Sequence, residues 1–388
     1  MANSEVQIQV LRTRTELEEV RHVWESWPGH RDSDMDVYLT VLRSGKGVER
    51  PHVVVIYRGG QPDAIFVGRI DHGQMNFRLG YFELKPKADV LYFVYGALRG
   101  NPSLENCKLL ISEVCQSLAR GEADVAYLNF LRTDSYLYEL ARSAPGFLSR
   151  DRVHAVQPHF SLKLTNVDSF YQGLSSKTRS TQKRKAKKLL NDFPEGTAIK
   201  CFRQMCDVDA LAEIADCIAS KSYQRGLDVG FVDNAEMRER LRLEAAKGWL
   251  RGYILYLADC PSAFWIGHVK EGIYGSDYLA FDPAFGSHSP GMYLIMRIIE
   301  DFCRDTENRV TEVDFSPGHA QYKEVLGNCQ WQEGSVYIFS RTVKGVELNF
   351  LRSAVSGTHH ILKRTLGQTS ALHRLKKIWR DHARQAKP

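Results

Sequence analysis

The segment 279–294 combines the residue types and spacing of an anion-binding turn. A strand pattern runs into Asp282-Pro283, a loop rich in glycine and serine follows, and Ser289-Pro290 opens an apolar helix. Serine at the cap and proline at the first helical position are typical of a helix start. Amide groups and the helix dipole at such a start attract phosphate, and glycine lets a phosphate approach closely. The alternative is a plain turn that proline and glycine only shape.

The elements that carry this turn occur in the same order twice. The pattern predicts a strand at 6–11, a helix, a hairpin, a strand, a helix from Ser103, a strand, a short helix and a strand at 160–164. A long basic helix begins near Asp168, and the same order then continues to 341. This repeat predicts an α/β fold in two copies, each with a mixed sheet. The predicted domains are 1–164 and 165–345, with a basic helical tail at 346–388.

Composition excludes several other classes of protein. Hydrophobic residues make up 43% and charged residues 25% of the 388-residue chain, which is typical of globular proteins. The longest apolar runs, such as 90–95, are too short to cross a membrane. Residues 1–7 do not show a basic region followed by an apolar one, so we expect no secretory signal and a cytoplasmic protein. The eight cysteines are scattered without a CxxC pair. We expect them to be reduced and mostly buried, and we expect no metal site.

Several short motifs resemble the acyltransferase domain of the CelD/BcsL family. They are 280–283 (AFDP), 289–291 (SPG), 313–315 (VDF), 321–323 (QYK), 169–179 and Ser222-Tyr223. That family is associated with bacterial cellulose and exopolysaccharide gene clusters. It belongs to the GNAT acyltransferase superfamily and is similar to the FemXAB peptidyltransferases, which contain two GNAT-like halves. The resemblance therefore implies two tandem GNAT-like domains.

The resemblance implies that an amine or hydroxyl attacks an acyl thioester of coenzyme A, with acetyl-coenzyme A as the expected donor. Such a reaction needs a base for the acceptor, an oxyanion donor and an acid for the leaving thiolate. A structural alternative exists for Asp282, which would cap a turn, and for Tyr322, which would only pack. The implied catalytic candidates are Asp277, Asp282, Asp314, His319 and Tyr322. The implied donor-binding residues are Ser287, His288, Ser289, Gly291, Met292 and Lys323.

The chain departs from the usual GNAT pattern in two places. The usual pyrophosphate signature is Gln or Arg, any two residues, Gly, any one residue, then Gly or Ala. Its fixed positions align with His288, Gly291 and Tyr293 in this chain, so only the glycine matches. The family commonly has Gly-Asp where this chain has Gly318-His319. If that acid is the base of the family, histidine replaces it here or the base is lost.

Two basic segments leave the partners open. The segment 177–188 holds seven basic and no acidic residues, and 359–388 holds eight basic residues and one acid. The first segment would contact a polyanion such as tRNA or an anionic membrane surface, or it would be a solvated helix face. We expect no DNA partner. In the second, Leu372, Leu375, Ile378 and Trp379 share one helical face, which is typical of a helix on an anionic membrane or packed on the body. An inner-membrane-face location would then accompany the cytoplasmic one.

Three functions remain open at this point. The first is transfer of an acyl group from acyl-coenzyme A to a sugar, a polysaccharide precursor or another envelope component. The second is a FemXAB-like transfer from aminoacyl-tRNA to a peptide or amino sugar. The third is a scaffold without catalysis in a polysaccharide-synthesis complex.

Overall fold

The computed structural model describes residues 5–45, 47–79, 82–153, 155–222, 230–305 and 310–366. The strands are β1 (Val6–Leu11), β2 (Val48–Arg58), β3 (Gln61–Gln74), β4 (Phe77–Leu79), β5 (Phe82–Leu84), β6 (Lys87–Gly100), β7 (Val125–Arg132), β8 (Ala155–Lys163), β9 (Ala198–Phe202), β10 (Leu250–Leu257), β11 (Cys260–Lys270), β12 (Ile273–Phe281), β13 (Glu312–Pro317) and β14 (Cys329–Phe339). The helices are α1 (Arg14–Glu19), α2 (Arg21–Ser26), α3 (Met35–Ser44), α4 (Leu104–Ala119), α5 (Tyr136–Ser143), α6 (Val167–Gly173), α7 (Ser176–Asp192), α8 (Val208–Lys221), α9 (Ala235–Ala246), α10 (Pro290–Arg304), α11 (Gln321–Leu326) and α12 (Val343–Leu366).

The chain forms two compact units that alternate along the sequence. Unit 1 contains Met1–Val23, Gly47–Ala155 and Ser335–Pro388, and unit 2 contains Trp24–Lys46 and Val156–Gly334. Strand β8, which follows the first half of the sequence, therefore belongs to unit 2. The end of β14, which closes the second half, belongs to unit 1. The division at 164 and 345 stays a prediction of the sequence.

Unit 1 is built on the strand order β1-β2-β3-β6-β7-β14. The first four strands pair antiparallel, and β6 pairs parallel with β7 from Val90 to Phe93. After Phe93, β6 stays with β3 and no longer pairs with β7. Helix α12 packs through Leu348 on a core that includes Phe339 of β14. The start of the predicted tail is thus part of this core, whereas 367–388 lies outside the described residues.

Unit 2 repeats the arrangement with the order β8-β13-β12-β11-β10-β9. Its side chains alternate across the sheet as expected for strands, because Tyr253 and Leu255 of β10 face one core and Ile254 faces the other. Helices α6, α7 and α10 cover the first face, and α8 and α9 cover the second. The predicted mixed α/β fold with a repeated order of elements is confirmed.

Local details differ from the sequence-based expectations in two places. The Thr-Glu-Leu-Glu pattern at 15–18 predicts a capping box that starts at Thr15, whereas the capping box of α1 joins Thr13 and Glu16. All eight cysteines are free, but only Cys107 is buried. The expectation of mostly buried cysteines is wrong because several lie on an edge strand, a hairpin turn and outer helix faces. In the part of the chain that the structure describes, no helix has the length and apolarity to span a membrane.

Close packing inside unit 2 predicts the effect of one methyl group. A Cβ added at Gly267 would lie 2.2 Å from the backbone oxygen of Gly275, so Gly267→Ala must shift β11 against β12. We expect a loss of about 1–3 kcal/mol in unfolding free energy, measured by chemical denaturation. The matched control is Gly173→Ala, where a Cβ meets nothing within 4 Å. Equal stability of the two variants would contradict this packing.

Candidate functional site

A cleft opens in unit 2 where two neighbouring parallel strands part. β12 and β13 pair only over 273–275 and 312–314, after which β12 continues along β11. The edge of β12 that has lost its partner presents backbone amide and carbonyl groups. The cleft has a volume of about 1060 Å³, and α7, α10 and α11 complete its walls. It can therefore hold an extended ligand that hydrogen-bonds to a strand.

Two serines at the cleft adopt backbone conformations that are uncommon outside glycine. Ser316 at the end of β13 has a φ of +65°, and its hydroxyl donates to the carbonyl of Ser276 at 3.1 Å. Ser289, the cap residue of α10, has a φ of +52°. Such strain persists only where the surrounding structure fixes it, and it concentrates at functional sites. The two serines lie where the strands part and where the helix begins.

The N-terminus of α10 opens into the cleft without a side-chain cap. Ser289 makes no capping hydrogen bond, and its hydroxyl accepts one from Lys185 Nζ at 2.9 Å. The amide groups of Gly291 and Met292 in the first turn have no acceptor within the helix. In unit 1, the corresponding helix α4 is capped by Ser103, whose hydroxyl accepts from the Asn106 amide at 3.2 Å. The helix start predicted from the sequence is thus present in unit 2, with a lysine beside it, and its binding of an anion stays a prediction.

Asp277 is held in a buried cluster of charges. It is the extra residue of a bulge in β12, and its carboxylate accepts from Arg31 at 2.7 Å and contacts His268 Nδ1 at 3.1 Å. Arg240 lies 2.9 Å from the same oxygen, and Arg31 also contacts Glu244 at 3.1 Å. Burial by itself raises the pKa of Asp277, but the two arginines hold it well below its usual range. A compensated carboxylate of this kind is a poor general base.

Three members of this cluster also have the geometry of metal ligands. Ligand atoms of Glu244, His268 and Asp277 all lie within 4.8 Å of one another. Arg31 Nη1 lies among them, at 3.1, 3.1 and 2.7 Å respectively. The guanidinium therefore occupies the position of a bound cation and supplies its positive charge.

Asp282 and Asp314 take structural partners outside the cleft. Asp282 caps the turn after β12 by accepting from the Ala284 amide at 2.9 Å, and it also accepts from Lys221 Nζ at 2.8 Å. Burial works to raise the pKa of Asp282, but these two hydrogen bonds lower it. Asp314 lies 2.5 Å from Nε2 of the fully buried His159. The capping role that was the structural alternative for Asp282 is what the structure shows.

His159 joins two carboxylates beneath the sheet. Its Nδ1 lies 3.1 Å from Glu333, and Trp331 stacks on the imidazole at 4.2 Å. Burial by itself lowers the pKa of His159, but the hydrogen bonds to Asp314 and Glu333 raise it to about 9. The charged imidazole therefore ties β8 to β13 and β14 residues within unit 2.

Helix α11 brings two predicted residues to the cleft wall. Tyr322 packs edge-on against Phe315, with 5.8 Å between ring centroids. Lys323 is buried and donates to the carbonyls of Ser316 and Pro317 at 2.9 and 3.0 Å. Burial lowers the pKa of Lys323 to about 8.

His319, just before α11, lies at the solvent side of the cleft. Its side chain is 72% exposed, and its Nδ1 lies 3.1 Å from Glu324. A carboxylate at Nδ1 fixes the ring orientation and leaves Nε2 to face a ligand.

The structure divides the predicted site residues into two groups. His288 pairs with Asp192 at 2.9 Å, and Ser287 contacts the His288 ring. The cleft is lined by Asp277, Ser289, Gly291, Met292, His319, Tyr322 and Lys323. Asp282, Asp314, Ser287 and His288 lie outside it.

Comparisons with known proteins identify the domain that forms the cleft. Residues 176–324 match the family model described as Acetyltransferase (GNAT) domain. This segment is a GNAT-type acyltransferase domain. GNAT domains use acyl-coenzyme A as a co-substrate. The prediction of a GNAT-type acyltransferase enzyme is confirmed, whereas the finer CelD/BcsL assignment stays a prediction.

Solved structures share this fold at low sequence identity. FemX superposes with a TM-score of 0.53 at 11% identity, covering 85% of this chain and 97% of FemX. The C-terminal DUF2156 domain of a protein named as a putative lysylphosphatidylglycerol synthetase, from Agrobacterium fabrum, superposes with a TM-score of 0.50 at 12% identity. The match covers 88% of this chain and 97% of that domain. A tandem GNAT protein from the clavulanic acid biosynthesis pathway superposes with a TM-score of 0.47 at 13% identity, covering 86% of this chain and 98% of that protein. No curated protein matches the chain. At these identities the likeness to FemX and to the DUF2156 domain shows the fold alone.

Sequence reasoning missed several residues that unit 2 brings together. Arg31, Arg240 and His159 carry no local motif, and their partners are distant in sequence. The lining residues Lys177 and Lys185 belong to the basic helix that the sequence did indicate, although not its position at the cleft. The Tyr223 part of the Ser222-Tyr223 motif lies outside the described residues.

Replacement of the buried Arg31 is predicted to cause a large loss of stability. Arg31→Met leaves Glu244 and Asp277 short of positive charge in a buried site, so we expect a loss of about 3–5 kcal/mol in unfolding free energy. Arg43→Met, in the same segment, breaks a pair in which the side chains are 56% and 42% exposed, and should cost less than about 1 kcal/mol. Denaturant titration at pH 7 measures both. A small effect of Arg31→Met would contradict the charge balance proposed for the cluster.

The raised pKa of His159 predicts a pH dependence of stability. The folded pKa of about 9 exceeds the ordinary value of 6.5, so this stabilisation is complete below about pH 6.5 and is lost as pH rises through about 9. We expect the difference in unfolding free energy between wild type and His159→Gln to shrink over that range. A difference that stays constant from pH 6 to 9.5 would show that His159 is not charged in the folded protein.

Proposed function

We propose that the cleft transfers an acyl group from an acyl-coenzyme A thioester to an amine or hydroxyl acceptor. The observation that carries this proposal is the parting of β12 and β13 beside the uncapped start of α10. A strand edge without a partner suits the amide groups of a pantetheine arm, and the helix start suits a pyrophosphate. The two features lie along one cleft, as an extended coenzyme requires.

The geometry supports one direction for the donor. The pyrophosphate would lie over Ser289, Gly291 and Met292, where Lys185 adds positive charge. The thioester would lie near Ser276 and Ser316, where the strands part. Helix α4 of unit 1 is capped by its own serine, which favours unit 2 as the donor site.

The residues around the expected thioester support a division of roles. His319 would accept the proton of the acceptor amine or hydroxyl, since Glu324 orients its ring. The acceptor then forms a bond to the thioester carbon, and the carbon–sulfur bond breaks. Tyr322 would donate its proton to the departing thiolate and regain one from water. The ammonium of Lys323 would favour the negative charge that develops on the carbonyl oxygen.

The acceptor proposed here is a sugar, a polysaccharide precursor or another envelope component. The support is the resemblance of 280–283 and 321–323 to CelD/BcsL proteins. Acetyl-coenzyme A is the first donor to test.

A second candidate is transfer from aminoacyl-tRNA. It is favoured by Lys177 and Lys185 of the basic helix α7, which line the cleft, and by the fold shared with FemX. A filter-binding assay with charged tRNA at low salt tests it, because phosphate contacts are strongest there. Retention of charged tRNA together with no binding of any coenzyme A derivative would replace the first proposal by the second.

Donor binding is the first prediction of the proposed function. A donor at a hundredfold excess over its dissociation constant adds about 2.7 kcal/mol to the unfolding free energy. We expect a rise in melting temperature of about several degrees with coenzyme A or acetyl-coenzyme A. No shift with any acyl derivative would contradict the proposal.

The proposed acid predicts a selective loss of rate. Tyr322→Phe removes the hydroxyl and keeps the ring against Phe315, so kcat should fall by about 100-fold while the KM for the donor changes little. Thiol release from acetyl-coenzyme A with a panel of amino sugars measures both. The matched control is Tyr256→Phe, whose ring lies beside Lys200 away from the cleft. Equal rates for the two variants would remove Tyr322 from the mechanism.

A further inference from the structure

A cavity of about 530 Å³ lies in unit 1 between helices α4 and α5 and the end of β14. A volume of this size is typical of a site for a small molecule. The surface of the cavity is more apolar than polar, and its walls include the buried side chains of Ile111, Leu118, Ile338 and Phe339. This cavity shares no lining residue with the cleft of unit 2.

The path of the chain after β14 leaves this cavity uncovered. In unit 2, the helix that follows β8 packs against α10, because Phe170 of α6 lies in the same core as Leu162 and the Tyr171 hydroxyl donates to Glu300 of α10. Strand β14 has the corresponding place in the strand order of unit 1. The helix that follows it, α12, packs through Leu348 on another core, and none of its described residues lines the cavity.

The shape of the cavity favours an extended ligand. Its lining residues on α4 run from Lys108 to Ala119, a length of about 16 Å at a helix rise of about 1.5 Å per residue. A volume of about 530 Å³ over that length gives a mean width of about 6 Å, whereas an α-helix with its side chains is about 10 Å across. A helix of a partner protein is therefore too wide for the cavity, but a linear alkyl chain fits it.

Two cations without counter-charges border the cavity. They are Lys108 and Arg341, and neither has a carboxylate partner among the residues that the structure describes. No aspartate or glutamate in the described part of the chain lines the cavity. Arg341 lies over Gly146, where an added Cβ would come within 3.1 Å of its Nη2 atom. Because a guanidinium binds a carboxylate or phosphate through two parallel hydrogen bonds, Arg341 favours an anionic group on the ligand.

The thiol of Cys115 lies inside this cavity near the guanidinium. Cys115 is on the α4 wall and is half-buried. Burial raises the pKa of its thiol, and the positive charge of Arg341 acts against this rise. A ligand that binds Arg341 and lies along α4 therefore covers the Cys115 sulfur.

We propose that the cavity of unit 1 binds an unbranched alkyl chain that carries an anionic group at one end. The chain lies along α4 over Ile111 and Leu118, and the anionic group binds Arg341, where Lys108 adds positive charge. A fatty acid would supply a carboxylate, and a monoalkyl phosphate would supply a phosphate. The site is independent of the donor proposed for unit 2.

The first test compares ligands that share the chain and differ at the head group. Isothermal titration calorimetry measures the affinity of the full chain for decanoate, decyl phosphate and 1-decanol. We expect both anions to bind, and the tighter of the two identifies the preferred head group. Decanol should bind about tenfold more weakly than decanoate, as for the loss of one charge-assisted contact.

The second test places the ligand in the cavity. Saturating decanoate should slow the alkylation of Cys115 by N-ethylmaleimide, followed by peptide mass spectrometry. Cys217 is exposed on α8 and is the internal control, whose rate should not change. Arg341→Gln should weaken decanoate by about tenfold and leave decanol unchanged. Arg14→Gln, exposed and outside the cavity, should keep the affinity of the wild type.

Three results would overturn the inference. One is an unchanged alkylation rate of Cys115 in saturating decanoate, which shows that any bound decanoate lies elsewhere. The others are equal affinities of the wild type for decanoate and decanol, and equal affinities of Arg341→Gln and the wild type for decanoate. Circular dichroism of Arg341→Gln that matches the wild type shows that its weaker binding is not a loss of fold, and the alkylation test needs no variant.

Discussion

The function of unit 2 depends on how far two parallel strands stay paired. β12 and β13 share three residue pairs and then part, because β12 continues its antiparallel ladder with β11. Separation of the strands costs hydrogen bonds that a longer ladder would keep. It also creates a cleft whose wall is a strand edge, and it lets the chain enter α10 at one side and α11 at the other. The same parting in unit 1 shows that it belongs to the fold, whereas the open helix start distinguishes unit 2.

A buried network of charges fixes the strand at this point. The bulge of β12 places Asp277 against Arg31, which comes from the segment Trp24–Lys46. Removing charges from water is expensive, so such a cluster persists only when each charge has a partner. The bulge is thereby anchored from outside the acetyltransferase segment itself. The position of the cleft wall depends on residues that a search limited to 176–324 would omit.

Local patterns predicted the order of elements and the start of α10, because both depend on neighbouring residues. The same patterns placed Tyr322 and Lys323 on a helix after the next strand, and the structure has them at the cleft. They could not reveal Arg31 or His159, whose partners Asp277 and Asp314 lie 246 and 155 residues away. Residue type alone does not decide between two possible uses of one side chain. Asp282 has the chemistry of a base, but an amide and a lysine already occupy its oxygens.

The exchange of last strands between the two units has a consequence for how the chain is made. Unit 1 uses residues 335–339, so it remains incomplete until those residues have been synthesised, long after its strand β1. Strand β8 is also translated well before β13, with which it pairs in unit 2. Nascent chains therefore expose unpaired strand edges for much of translation, a period when such edges attract aggregation and chaperones. The order of synthesis in this protein differs from the order in which its sheets can close.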